Sequence, residues 1–70
     1  MDKIKEYIES RIFELTKSTK KWEKEVEIAD NPILKESLRL NIHFAVGQIE
    51  ELNKLYSFIV ENIENTEQNG

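Results

Sequence analysis

Few side chains in this 70-residue sequence could do chemistry. His43 is the only histidine and there is no cysteine, so a metal site would need two copies of His43 brought together by a symmetric dimer. No nucleophile lies at a spacing that pairs it with a base, and no glycine-rich phosphate loop is present. We therefore expect no cofactor, no bound metal and no catalytic activity, and we interpret His43 as a surface or interface residue.

A lysine cluster offers a second kind of chemistry. Four lysines surround Trp22 in the sequence, at Lys17, Lys20, Lys21 and Lys24. A basic cluster with an aromatic side chain can contact phosphates and stack on a base. However, Glu23, Glu25 and Glu27 lie among or directly after the lysines, Trp22 falls on an apolar stripe of its helix, and the net charge is −4. This pattern favours a solvated helix face over a nucleic-acid site.

Apolar residues between Asn31 and Ile63 repeat at helical spacing on two sides of one long helix. The first set alternates steps of three and four, the pattern of a packing seam: Leu34, Leu38, Ile42, Ala45, Ile49, Leu52, Tyr56, Ile59 and Ile63. The second set, here called the second stripe, lies roughly opposite and consists of Ile33, Leu40, Phe44, Leu55 and Phe58, with Gly47 near its edge. One neighbouring helix covers only one of these sides, so the second stripe predicts a partner.

The elements that must position these residues are two helices joined by a short turn. The chain before Asp30 has one apolar face, in which Thr19 is the only polar member, and it contains neither Gly nor Pro. Asn31 is suited to an N-cap and Pro32 to the first helical position. We expect helix 1 over residues 2–29, a turn at 30–31 and helix 2 over 32–64, within one domain at 1–65 followed by a disordered tail at 66–70. The expected intrachain seam comprises Ile8, Ile12, Leu15, Trp22, Val26, Leu38, Ile42, Ile49, Leu52, Tyr56 and Ile59.

The small size of the chain points to association. A domain of this length without a disulfide is marginally stable alone. The expected fold is all-α, a two-helix antiparallel hairpin that dimerises into a four-helix bundle. The expected self-association or partner face comprises Ile33, Leu40, Phe44, Gly47, Leu55 and Phe58.

Gly47 lies in a helix interior, where glycine costs about 1 kcal/mol relative to alanine. We interpret it either as a place where a second backbone comes close or as a tolerated surface glycine.

These features favour a non-enzymatic protein–protein interaction module that self-associates and binds or occludes a partner protein, for example a small phage- or plasmid-type inhibitor or regulator. Two alternatives remain. Two antiparallel helices with a/d seams and a short turn resemble the Rop class of RNA-binding dimers, which implies a nucleic-acid-binding bundle that uses Lys17, Lys20, Lys21 and Lys24. The other alternative is a structural subunit of a larger assembly.

No apolar run approaches the ~18 residues of a membrane span and the N-terminus lacks a signal-peptide core, so we expect a cytoplasmic protein that does not contact membranes.

Overall fold

The computed structural model describes residues 2–64, which form a hairpin of two long helices. Helix α1 covers Asp2–Ile28 and helix α2 covers Pro32–Phe58. The chain then continues directly into a six-residue π-helix, Ile59–Glu64, here called the π segment. No strand occurs between residues 2 and 64, so the predicted all-α hairpin is confirmed. The predicted tail at 66–70 lies outside the described residues, and the pairing of two hairpins stays a prediction.

Asn31 caps the start of α2, as the sequence indicates. Its backbone is extended, and its side-chain oxygen accepts hydrogen bonds from the backbone N–H groups of Ile33 at 2.8 Å and Leu34 at 3.3 Å. These bonds satisfy two of the donors that a helix N-terminus leaves free. Pro32 follows at a position where its missing N–H is not needed. Only residues 29–31 connect the helices, so α1 and α2 run antiparallel.

The two helices meet along a narrow seam. Ile8 on α1, Leu38 and Ala45 on α2, and Ile59 in the π segment are buried, with Ile8 only 1% exposed. The other predicted seam residues are half-buried, namely Ile12, Leu15, Trp22, Val26, Ile42, Ile49, Leu52 and Tyr56. Two helices alone cannot enclose a wider core, because each presents a single stripe to the other.

Among residues 2–63, Thr19 is the one polar residue buried in the seam. Its hydroxyl donates a hydrogen bond of 2.8 Å to the backbone carbonyl of Leu15, one turn earlier in the same helix. This local bond satisfies the hydroxyl without a partner from α2. Helix α1 therefore passes through Thr19 without a break.

The π segment was not anticipated from the sequence, which predicted a regular helix to residue 64. The side-chain amide of Asn62 donates to the backbone carbonyl of Phe58 at 3.1 Å. In a regular α-helix that carbonyl accepts from the backbone N–H of residue 62 itself. In the wider i→i+5 pattern of a π-helix, the backbone N–H of residue 62 is not the donor to this carbonyl. The side-chain amide of Asn62 donates to it instead. Ile59 remains buried and Ile63 half-buried, so the wider turn still packs on the seam.

A polar cluster joins the beginning of α1 to the end of α2. The hydroxyl of Tyr56 donates to the carboxylate of Glu9 at 3.0 Å, and the ammonium of Lys5 lies 5.8 Å from the centre of the Tyr56 ring. These contacts link the two helices at the opposite end of the hairpin from the turn. Within residues 2–64, neither helix combines the length and the apolarity needed to cross a membrane.

Candidate protein-interaction surface

The hairpin leaves the second stripe uncovered. Ile33 is 78% exposed, Phe44 65% and Phe58 55%, and Leu40 and Leu55 are each about half exposed. These side chains follow one side of α2 over about 38 Å at 1.5 Å per residue. A single exposed apolar side chain is ordinary, but a row of this length on one helix is typical of a surface that contacts another protein.

Helix α1 adds two residues that the sequence did not assign to this surface. Tyr7 and Arg11 face Phe44, Gly47 and Gln48 across an open groove of about 670 Å³ between the helices. Four more residues of α2 line the groove, namely His43, Glu50, Glu51 and Leu52. Tyr7 lies off the main stripe of α1, and its position beside Phe44 follows only from the pairing of the two helices. The candidate surface therefore consists of the second stripe and this groove.

Gly47 lies in the wall of the groove and is not required by the hairpin itself. A Cβ atom added at this position would meet no heavy atom within 4 Å, apart from its own helix backbone and chain neighbours. The glycine also has no positive φ that would exclude other residues. Helix α1 is therefore not the second backbone whose close approach is one interpretation of Gly47. The open position leaves a notch in the surface of α2.

The groove carries charges of both signs. The guanidinium of Arg11 lies 3.2 Å from the carboxylate of Glu14, and the ammonium of Lys54 lies 3.5 Å from the carboxylate of Glu51. Both pairs link residues three apart on one helix, and their side chains are 41–76% exposed, so each pair contributes at most about 1 kcal/mol. Such weak pairs leave Arg11 and Glu51 able to contact charges on a partner.

His43 lies on the rim of the groove and is exposed. Its ring centre is 6.4 Å from that of Phe44, in a tilted arrangement. Within residues 2–64, no three His, Cys, Asp or Glu side chains are grouped so that they could hold a metal ion. The contact that the structure gives His43 is thus with an aromatic residue of the candidate surface.

The structure separates the lysine cluster from its aromatic neighbour. Trp22 is half-buried on the side of α1 that faces α2, whereas the four lysines are exposed. At about 100° per residue, Lys17, Lys20 and Lys24 lie about 140–160° around α1 from Trp22, and Lys21 lies about 100° from it. A base stacked on the indole ring would therefore not lie against these lysines.

No protein-family model matches this chain, and no curated protein or solved structure is significantly similar to it. We therefore infer function from the exposed second stripe, the groove beside it and the charges of the groove.

Proposed function

We propose that this chain is a non-enzymatic protein–protein interaction module that self-associates and binds or occludes a partner protein through the second stripe and its groove. The observation that supports this proposal most strongly is the imbalance between buried and exposed apolar side chains. Within residues 2–64, four hydrophobic residues are buried, whereas eleven large hydrophobic residues are exposed. The second stripe accounts for five of the eleven.

The free energy available at this surface is large for so small a chain. Covering a large apolar side chain completely contributes about 1.5–3 kcal/mol, and the five residues of the second stripe are about half to three-quarters exposed. Their complete burial would contribute on the order of 5–8 kcal/mol before the entropy of association is subtracted. That amount is comparable to the whole stability of a small domain, so association would stabilise the fold as well as the complex.

The shape of the surface suits a helical partner. Side chains at Leu40 and Phe44 are one turn apart, and Leu55 and Phe58 form a similar pair eleven residues further on. Such ridges pack into the grooves of another helix or present a helix face to a hydrophobic cleft. A chain that covers an apolar surface on another protein can inhibit or scaffold it without any catalytic group.

A charge placed in the second stripe tests the proposal. We expect Phe44→Glu to abolish self-association and capture of a partner protein in lysates of the native cells, with unchanged helical circular dichroism. Val46→Glu is the matched control, because Val46 is an exposed apolar residue of the same helix but lies outside the stripe and the groove. Light scattering gives the mass in both cases. A Phe44→Glu variant that keeps the wild-type mass and the wild-type partner would contradict the proposal.

A further inference from the structure

Four of the five residues of the second stripe have a spacing that a second copy of the chain can match, and Ile33 lies outside this pattern. Steps of 4, 11 and 3 residues separate Leu40, Phe44, Leu55 and Phe58. Read from the other end, the steps are 3, 11 and 4, which is nearly the same pattern. A two-fold symmetric interface needs this property, because a contact from residue i to residue j implies the contact from j to i. In an antiparallel pair of α2 helices, Leu40 faces Phe58 of the second copy and Phe44 faces Leu55 of the second copy.

The centre of this pattern coincides with the notch at Gly47. The midpoint of the four apolar positions lies between Gln48 and Glu51. Gly47 is next to that midpoint, and space is open where its side chain would be. Helices pack with axes about 8–10 Å apart, and the shorter distances require small side chains at the contact. The notch thus lies where two antiparallel copies of α2 would come closest, and it would receive the aliphatic part of Glu51 from the second copy.

Charged residues near the midpoint can pair with residues of opposite charge in a second copy. Arg11 and Glu51 line the same groove and have opposite signs. A two-fold axis at the midpoint brings two copies of Arg11 close to two copies each of Glu50 and Glu51, so each arginine has carboxylates of the second copy nearby. Arg11 of each copy then lies within reach of Glu51 of the other. Complementary charges of this kind fix the register of an interface more than they add affinity.

The long face of the hairpin is large enough to hold an interface of standard size. The hairpin measures 58 × 15 × 12 Å between its outermost Cα atoms. Its long face therefore offers roughly 900 Å² for contact, and each partner in an interface of standard size loses about 800 Å².

We propose that the occupant of this surface is a second copy of the chain, docked with its α2 antiparallel and with the two-fold axis between Gln48 and Glu51, beside Gly47. This inference rests on the proposed function because it uses the same second stripe for self-association, and it adds the orientation and the register of the two copies.

Cysteine cross-linking tests the register directly, because the natural chain contains no cysteine. In the proposed dimer the two copies of residue 51 face each other about 5 Å apart along the helix axis, whereas the two copies of residue 37 are about 37 Å apart. With helix axes about 8 Å apart and Cα atoms about 2.3 Å from each axis, this axial separation places the two Cα atoms of residue 51 roughly 6 Å apart, within the range of about 4.4–6.8 Å that a disulfide bridges. We therefore expect the Glu51→Cys variant to form a covalent dimer on mild oxidation, with a yield at least about tenfold higher than that of Ser37→Cys.

Exchanging the charges tests the proposed contact between Arg11 and Glu51. We expect Arg11→Glu alone and Glu51→Arg alone each to raise the dissociation constant about tenfold or more, because each creates two repulsive contacts in its own dimer. An equimolar mixture of the two variants should form a heterodimer of nearly wild-type affinity, since both cross-copy contacts then join opposite charges. A contact within one chain would not be repaired by mixing.

The outcomes separate this inference from the proposed function. A wild-type chain that stays monomeric up to about 1 mM would overturn the second copy as occupant. That outcome would also overturn self-association in the proposed function, and binding of a different partner protein would still be decided by partner capture with Phe44→Glu. A dimer that cross-links through Ser37→Cys but not through Glu51→Cys would overturn the antiparallel register. Failure of the mixed charge variants to associate would overturn the Arg11–Glu51 contact.

Discussion

Replacing Gly47 by alanine should stabilise the monomer and weaken the dimer. In a helix interior, alanine is favoured over glycine by about 1 kcal/mol, because glycine loses more backbone entropy on folding. The added methyl group meets no heavy atom within 4 Å apart from its own helix backbone and chain neighbours. No steric cost opposes the gain in the monomer, and the melting temperature should rise by about 4–8 °C for a domain of this size.

In the proposed dimer the same methyl group would fill the notch that receives Glu51 of the second copy. Overpacking of a fitted contact typically costs about 1–3 kcal/mol, and here two symmetric notches are filled. Thermal unfolding of Gly47→Ala should therefore be measured at two concentrations, one where the wild type is monomeric and one where it is associated. We expect the stabilisation at low concentration to shrink or reverse at high concentration, since association contributes to apparent stability by mass action.

Asn53→Ala provides the control for this experiment. Asn53 is an exposed residue of α2 outside the second stripe and the groove, and alanine there should gain about 0.5 kcal/mol from helix propensity at both concentrations. A Gly47→Ala variant that is less stable than the wild type at low concentration would refute the open position of Gly47. An equal gain at both concentrations would refute the notch as part of an interface.

Three further predictions concern the hairpin itself, each checked by urea unfolding at a concentration where the wild type is monomeric. Asn31→Ala should lower the free energy of unfolding by about 1 kcal/mol because two capped N–H groups lose their acceptor. The adjacent Asp30→Ala, whose side chain makes no such bond to the start of α2, should change it much less. Leu38→Ala should cost about 2–5 kcal/mol and unfold much of the population, since Leu38 is 6% exposed, and a loss below 1 kcal/mol would contradict its burial. Leu40→Ala, two residues away but half exposed, should cost less than about 1 kcal/mol in the monomer and should instead weaken association. Tyr56→Phe removes an exposed hydrogen bond to Glu9 and should cost about 1 kcal/mol or less, and a larger loss would show that this bond contributes more to helix pairing than its exposure suggests.

The helical hairpin could be predicted because its determinants are local. Apolar residues at steps of three and four, as from Ile8 to Ile12 to Leu15, leave little choice but an amphipathic helix. The start of α2 was equally clear, because Asn31 and Pro32 each have a specific backbone preference. Even Thr19, the polar member of the α1 stripe, satisfies its hydroxyl within its own helix.

The wider turn at the end of α2 could not be predicted in the same way. It coincides with a hydrogen bond from the Asn62 side chain to the carbonyl of Phe58. An asparagine at this place is equally compatible with a regular turn or a helix end, because its amide competes with the backbone for the same acceptors. The periodicity of apolar residues is a property of many residues together, so it does not show where one side chain replaces a backbone N–H as hydrogen-bond donor.

The sequence by itself determined that the chain forms two helices and that α2 has two apolar sides. Both properties depend on the order of side chains around a single helix, which is fixed at 3.6 residues per turn. Only the tertiary structure decided that Tyr7 and Arg11 lie beside Phe44, and that no part of α1 fills the space at Gly47. These properties depend on the rotation and axial offset of one helix against the other, which the packing of Ile8, Leu38 and their neighbours sets and no single helix encodes.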